Sequence, residues 1–421
     1  MSTLTEKIEI KINGKLYEDY NFLNIKLTQE LLKPNNLSFT MQKKDFFKDE
    51  EDVGFSKPKE LVGEKVSCLI QTKRFDHFAE LNSEELEFEG IIFEVNVSRS
   101  EFVSEFLIDV VAFSPDYLLM DNKNCLSTLD KSLSDIVNDV IKPYDFPKLI
   151  DPKFTDNIPY TVMYNETDYD FLVRLAHRYG EWLYNDGKKF VFGKIDKSET
   201  LTLYARTDIL DYKYNANIRH DNIKQRNYNY LKPEYFVKSR DEIPGMSGSD
   251  DKFLEYTGEL RKKSKSLYTK QTLQTLQSGT AEENEADELV TAMKAQLLGE
   301  KAELTTCSGT TVRADVRIGS CLKVKDMYDK EDNKAAFYDR DELLVCKITH
   351  YAGVNGFYQN KFTAVSSKSD FPPYHDSDTY PISGNQQAVV YDNKDPEKMG
   401  RIQVQFQWQK DASSEANKHS P

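Results

Sequence analysis

The run DPEKMGRIQVQFQWQ at 395–409 constrains the fold most, because it opens a sheet that few residues remain to finish. Ile402, Val404, Phe406 and Trp408 alternate strictly with Arg401, Gln403, Gln405 and Gln407, the period-two pattern of a strand with one apolar and one solvated face. The segment from Asp392 to Pro396 is a cluster of turn formers, and residues 388–391 supply a partner strand. Two strands with a single apolar face need a third strand or a packing surface to be stable. Only a polar tail, 409–421, follows. The sequence therefore leaves two readings open: a domain cut short, or a hairpin completed by another subunit.

The chain of 421 residues has room for roughly two to four domains. Its 24 Tyr and 24 Phe, with frequent strand-like runs, point to a β-rich protein. A net charge of -14 argues against a general nucleic-acid binder, since phosphates would be repelled. The first residues lack the apolar segment of a signal peptide, and no apolar run reaches the length of a membrane-spanning helix. Cys68, Cys125, Cys307, Cys321 and Cys346 show no CxxC spacing and read as thiols of a reducing compartment.

Strands are expected over 7–113, the clearest being 91–97 and 102–113 around a turn at 98–100, with an exposed charged loop at 43–59. Two helices follow. In the first, Ser132 caps with Asp135 three residues on, Leu133, Ile136, Val137, Val140 and Ile141 make the buried stripe, and Pro143 stops it. In the second, Thr167 and Asp170 start the helix, Phe171, Leu172, Leu175, Ala176 and Tyr179 face the core, and Gly180 ends it. Strands at 182–184 and 190–192 flank the turn Asn185-Asp186-Gly187. Residues 244–251 read as a flexible connection and 281–304 as a third helix with acids in its first turn. A last hairpin pairs 344–350 with 358–365 around Asn355-Gly356, and Pro372, Pro373 and Pro381 mark a linker.

The spacing from Gly63 to Gly90 equals that from Gly319 to Cys346, each glycine preceding a hairpin, which suggests two related barrels. The boundaries that result are 1–125 for a first barrel, 126–205 for an α/β insert, 206–370 for a second barrel, 371–384 for a linker and 385–421 for a partial last domain. The fold class is mainly β with an α+β insert.

Signals for chemistry are weak. His77, His177, His220, His350, His375 and His419 make no ligand spacing, and there is no GxSxG, Walker or GxGxxG motif. His177 is placed at a solvated helix edge. The acidic runs 49–52 and 282–285 read as solvated surface, and the aromatic–basic run 228–232 as strand rather than as a stacking platform. No catalytic residue, cofactor or metal is expected. A hydrolase with a cryptic pair among the 70 acidic residues stands as the alternative from another class.

Four segments in order carry a family resemblance. DPEKMGRIQVQFQW, with Asp395, Pro396, Gly400, Arg401, Ile402, Val404, Phe406 and Trp408, resembles the opening hairpin of the OB-fold in VgrG proteins, the spikes of type VI secretion systems. SLSDIVNDVIKPY resembles their first helix and YTVMYNETDYDFLVRLAHRYGEWLYND their strand–helix–strand block. LLVCKITHYAGVNGFYQNKFTAV resembles their hairpin, with His350, Tyr358, Asn360 and Phe362 in pattern. The resemblance implies two gp27-like tube β-barrels followed by the start of a gp5-like OB-fold, apparently truncated. It also implies a homotrimer that adapts a hexameric Hcp tube to a membrane-puncturing spike, with baseplate proteins, a PAAR-type tip and effectors as further partners. Such a protein assembles in the cytoplasm, is injected into target cells, and touches a membrane only by mechanical puncture. A hub from a phage tail or an extracellular contractile particle is the nearest alternative.

Overall fold

The computed structural model describes residues 4–17, 20–43, 58–73, 75–76, 79–80, 84–99, 106–195, 197, 200–205, 207–229, 234–243, 252–275, 285–329, 335–353, 357–374, 379–396, 398–410 and 419. Apart from a 3-10 turn at Pro58–Leu61, the described elements of the first part of the chain are strands: β1 (Leu4–Ile12), β2 (Lys15–Leu16), β3 (Tyr20–Glu30), β4 (Asn36–Lys43), β5 (Lys65–Lys73), β6 (Phe75–Asp76), β7 (Ala79–Glu80), β8 (Glu84–Arg99) and β9 (Phe106–Phe113). The middle part holds β10 (Asn124–Ser132), α1 (Leu133–Ile141), β11 (Lys148–Asp151), β12 (Asn157–Glu166), α2 (Asp168–Tyr179), β13 (Trp182–Asn185) and β14 (Phe190–Gly193). The remainder holds β15 (Leu201–Tyr204), β16 (Ile209–Ala216), β17 (Ile223–Asn229), β18 (Glu234–Ser239), α3 (Lys252–Leu267), β19 (Thr272–Thr275), α4 (Glu285–Leu304) and β20 (Thr305–Thr311). It closes with β21 (Cys321–Asp329), β22 (Ala335–Ala352), β23 (Tyr358–Ser366), β24 (Ala388–Asp392) and β25 (Gln403–Phe406).

The two β-rich regions join in one sheet of 13 described strands. Along it β3, β4, β9, β8, β5 and β1 lie in that order, and β16, β20, β23, β22, β21 and β15 repeat the same connectivity in a second unit. Each unit has its own apolar core: Leu37, Phe39, Phe88 and Val110 stand in the first, Cys307, Leu322, Val345 and Phe362 in the second. The duplication reaches individual hydrogen bonds. Gly63 (φ 88°) donates to Ile92 O at 2.8 Å, and Ile92 returns a bond to Glu64 O at 3.0 Å. Gly319 (φ 82°) donates to Val345 O at 2.9 Å, and Val345 returns a bond to Ser320 O at 3.0 Å. A bulge follows at once in both long strands, between Ile92 and Glu94 and between Val345 and Lys347. The repeat read from the sequence is therefore present, but its register shifts: Cys346 corresponds to Phe93, not to Gly90. The units differ at their first strands, since β1 runs antiparallel to β5 and β15 parallel to β21.

Between the units lies the insert. Ser132 Oγ accepts from Asp135 N at the start of α1, and all five residues of the expected stripe are buried. Thr167 Oγ1 does the same for Asp170 N, and Gly180 ends α2 in the left-handed region at φ 67°. His177, expected at a solvated edge, is half-buried with its ring 5.1 Å from that of Tyr374. The hairpin of β13 and β14 carries Trp182, Leu183, Phe190 and Phe192 at 0% exposure.

A second insertion separates β16 from β20. The third helix ends at Leu304 as expected, but α3 and the small sheet of β18, β17 and β19 were not expected. Arg240, 3% exposed, pins this sheet to α4 through Glu300 (2.6 and 2.9 Å) and to Asp221 (3.2 Å), which also holds Arg261 at 2.7 Å. The turn expected at 98–100 is displaced, since Ser98 and Arg99 still belong to β8 and pair with Leu107 and Phe106. Ser100, the turn at 355–356, most of the loop at 43–59, the connection at 244–251, residues 230–232, the acidic runs at 49–52 and 282–284, and His77 and His375 lie outside the described residues.

The closing hairpin departs from its sequence pattern. β24 and β25 pair antiparallel, yet Val389, Val390, Tyr391 and Ile402 are all about half exposed, at 51–54%. β25 ends at Phe406, and Trp408 sits in a 3-10 turn, Gln407–Gln409. The alternation marks a face without saying what covers it. Here the hairpin is held at its end: Gln409, 1% exposed, donates to Ser127 Oγ at 2.8 Å, and the Trp408 ring stands 6.2 Å from that of Tyr164.

Two substitutions test these supports. Thr167→Ala is expected to lower stability by about 1 kcal/mol through the lost cap, and Trp182→Ala by about 3–5 kcal/mol through the cavity it leaves. Chemical denaturation ranks them, and a Trp182→Ala loss below that of Thr167→Ala contradicts the packing described.

Candidate functional site

The strand β22 pairs with three neighbours. Its first part, to Leu344, lies against β21; from Lys347 to Ala352 the same edge takes β3; β23 runs along the other edge. The bulge at Cys346 is the point where one partner gives way to the other. The pairs Lys347↔Glu30 through Ala352↔Ile25 are therefore the joint between the two units. Three of the residues singled out from the sequence meet just here.

His350 lies opposite Asn360 on β23 and Leu27 on β3, at 1% exposure. Its Nδ1 lies 2.6 Å from Tyr358 Oη, which also accepts from Asn360 Nδ2 at 3.1 Å. The Tyr358 hydroxyl and His350 Nδ1 therefore share one hydrogen bond inside the sheet, and the buried imidazole is held in its neutral form. Burial alone drives the His350 pKa down to about 3, and burial, helped by the nearby Asp315 and Glu84 carboxylates, pushes that of Tyr358 up. Asn360 also donates to Arg313 O at 2.8 Å. Phe362 packs its ring against Gly309 across the strand pair, where any side chain would meet it at about 3.0 Å.

From Arg313 the network crosses into the first unit. Its Nε lies 2.6 Å from Glu84 Oε1 of β8 and 2.9 Å from Asp315 Oδ1. Glu84 is 6% exposed, so the pair is largely withdrawn from water. Such a pair adds little net stability, but removal of one partner strands a buried charge. Its value is positional: it sets the two units in one registration.

A second polar cluster ties the insert to the same place. Asn185 Nδ2 donates to Asp116 Oδ1 at 2.7 Å, Asn35 Nδ2 donates to Asn185 O at 2.9 Å, and Asn35 N donates to Ser114 Oγ at 2.8 Å. Burial raises the Asp116 pKa to about 6 against these stabilising bonds. Beside it a mixed apolar core gathers Leu31 from the first unit, Trp182, Tyr184 and Val191 from the insert, and Ile318, Leu344 and Val365 from the second unit. Three parts of the chain are locked at one joint.

The other sequence-derived group is elsewhere. Asp395 Oδ2 accepts from Met399 N (2.7 Å) and Arg401 N (3.1 Å), and its Oδ1 takes the Arg401 guanidinium at 2.9 and 3.2 Å. Gly400 supplies a left-handed residue at φ 82°, and Pro396 is exposed. The spacing of Asp395, Gly400 and Arg401 thus closes a turn. Val404 and Phe406 are half-buried, and Phe406 and Trp408 stack at 5.7 Å. Sequence reasoning missed Arg313, Glu84 and Asp116 and read Asn185 only as a turn residue, because the partners that give them their roles lie far along the chain. Among the described residues, no three His, Cys, Asp or Glu side chains are placed to hold one metal ion. The arrangement is suited to holding a shape.

Comparison with known proteins agrees with that character. Residues 46–355 match the family described as phage tail baseplate hub (GPD). No curated protein matches the chain in sequence. A tail protein from Neisseria meningitidis MC58 superposes with a TM-score of 0.56 at 13% identity, covering 89% of this chain and 100% of its own. The Escherichia coli c3393 protein, a type VI secretion component with structural similarity to T4 tail proteins gp27 and gp5, gives 0.58 at 15% identity, over 94% of this chain and 88% of its own. A VgrG-containing Francisella complex, PdpA–VgrG in its half-lidded form, gives 0.53 at 12% identity over 100% of this chain and 72% of its own.

The joint predicts a proton linkage. His350 stays neutral when folded down to about pH 3 but takes a proton near pH 6.5 when unfolded. It therefore leaves stability unchanged above pH 6.5 and lowers it as pH falls from there toward 3. Asp116 acts with the opposite sign, its contribution present at low pH and lost as pH rises through about 6. Comparison of His350→Gln with the parent isolates the histidine. The stability difference between them is expected to move by about 2–3 kcal/mol in the variant's favour between pH 7.5 and 4.5. Denaturant titrations that give the same difference at both pH values contradict the buried neutral imidazole.

Proposed function

The chain belongs to the phage tail baseplate hub family, and from that premise we propose that it is the hub of a contractile injection machine of the type VI kind. Three copies form a ring that caps the inner tube, built of hexameric Hcp, and carries the spike and its effectors. The duplication of the six-strand unit is the observation that supports this best. A tube with six equivalent subunits and a threefold spike need an adaptor, and three chains with two like units each offer six similar contacts at one end. The work is done by rigid assembly rather than by turnover, and the locked joint at His350, Arg313 and Asn185 suits a part that transmits force. Assembly takes place in the cytoplasm of the producing cell, and delivery carries the hub out into the target.

The likeness to the Neisseria meningitidis tail protein favours a second reading, a hub of a phage tail or a related particle, with the same ring and a different tube partner. Binding decides between them: a type VI hub is expected to cap rings of the Hcp protein from its own genome, whereas a phage hub is not.

Light scattering on the purified chain is expected to give three times the chain mass. A clean monomer at micromolar concentration contradicts the ring.

A further inference from the structure

The insertion between β16 and β20 carries a charge imbalance that its own side chains do not settle. Arg240 and Arg261 divide the two oxygens of Asp221 between them, and Arg240 also takes both oxygens of Glu300, one of which accepts from Gln296 Nε2 at 3.1 Å. Both carboxylates are thereby committed. Lys301, the next residue on α4, is 9% exposed, and among the described residues no hydrogen bond or ion pair reaches its ammonium. Arg219 and Glu303 answer only each other, closer to the surface. The largely buried cations Arg240, Arg261 and Lys301 thus stand against the carboxylates of Asp221 and Glu300, an excess of one positive charge.

The excess lies beside a space. Arg261 and Lys301 both line a pocket of about 20 Å³ between α3, α4 and the segment 219–221. A single water needs about 10–15 Å³, so the room is for one occupant of that size or slightly more. Leu260, Leu297 and Leu304 give it apolar walls, and His220, which also lines it, adds no negative charge. The Ser264 hydroxyl is already spent on Arg219 O. Arg261 commits only its Nε, to Asp221, so its terminal nitrogens and the Lys301 ammonium are donors without a partner among the described residues. Burial, and the Arg261 guanidinium nearby, lower the pKa of Lys301. Two like charges in an apolar setting call for a counter-charge, and the guanidinium cannot give up its proton.

We infer that this pocket binds a single halide ion, chloride in the cell, between the Lys301 ammonium and the terminal nitrogens of Arg261. One negative charge matches the excess of one positive charge, and one atom matches the room. A carboxylate or a phosphate has several heavy atoms and exceeds it. A spherical anion also accepts from donors in any direction, so it needs no planar fork to receive it. The ion ties α3 to α4 and both to the segment that leads into β17, which fixes the small sheet of β18, β17 and β19 to the rest of the insertion. The site belongs to the insertion alone and does not depend on the ring proposed above.

Hydrogen exchange at the α3 and α4 amides tests it, with chloride replacing gluconate at fixed ionic strength, since gluconate is too large for the pocket. Above its dissociation constant, chloride is expected to slow exchange there by up to about tenfold for each tenfold rise in its concentration. Lys301→Met removes the charge, keeps the length of the side chain and is expected to abolish the response. Lys262→Met, at an exposed position of α3, is expected to keep it. Anomalous scattering from bromide-soaked crystals of the parent reads the site without any variant, and a peak within hydrogen-bond distance of Lys301 Nζ is expected. Exchange that ignores chloride, a response that Lys301→Met shares, or a bromide map with no peak in the pocket overturns the site.

Discussion

The hydrogen-bond ladder between Lys347–Ala352 and Ile25–Glu30 is the constraint on which the rest of this structure depends. Without it the chain would be two separate sheets joined by covalent linkers. With it, one strand serves both units, and its bulge at Cys346 marks the change of partner. Backbone pairing sets distance and direction but allows a strand to slip by two residues at little penalty. The side chains remove that freedom. His350, Tyr358 and Asn360 hold each other and Arg313, Arg313 holds Glu84 of the first unit, and Asn185 holds the insert to Asn35 and Asp116. A buried polar network of this kind is unforgiving of misplacement, because each lost partner leaves a group without water. That penalty makes the joint specific as well as strong.

The sequence carried much of this where the governing contacts are local. The caps Ser132 and Thr167, the helix-ending Gly180 and the turn at Asn185–Gly187 each act over a few residues, so their spacing was enough. The repeat was legible as glycine spacing, yet its register was misjudged, because the loops between Gly63 and Ile92 and between Gly319 and Val345 differ in length. Only the paired hydrogen bonds reveal which residues correspond. Helix α3 escaped notice since its sequence, KFLEYTGELRKKSKSL, has a weak apolar stripe and owes its place to packing against α4. The closing strand shows the opposite failure. Its alternation at Ile402, Val404, Phe406 and Trp408 is plain, but a periodic pattern says which residues share a face and not what lies against it. Of the two residue groups drawn from the family resemblance, one lies at the joint and the other closes an exposed turn through Asp395 and Arg401.

The physical logic suits a part whose task is to stay rigid while force passes through it. Ligand sites usually keep polar groups poised and accessible, whereas here the polar groups of the joint are buried and bond chiefly to one another, with His350 Nε2, Asn360 Oδ1 and Asp116 Oδ2 left without a hydrogen-bond partner among the described residues. His350 is neutral and Tyr358 is held to it, so neither is set up for proton transfer at ordinary pH. Two like units in one chain also allow six similar contacts from three copies, and mutations can then tune the units separately. Their differences, the parallel β15 and the insertion of β17 to α4, mean that the two units are alike without being identical, so that the ring proposed above would have threefold rather than strict sixfold symmetry.

Electron microscopy of the assembled chain, viewed down its axis, tests the central claim most directly. The account predicts class averages of a closed ring with six similar lobes that alternate in outline, consistent with threefold symmetry. Rings with another number of lobes, or isolated particles of two lobes at concentrations where the protein is assembled, would contradict it.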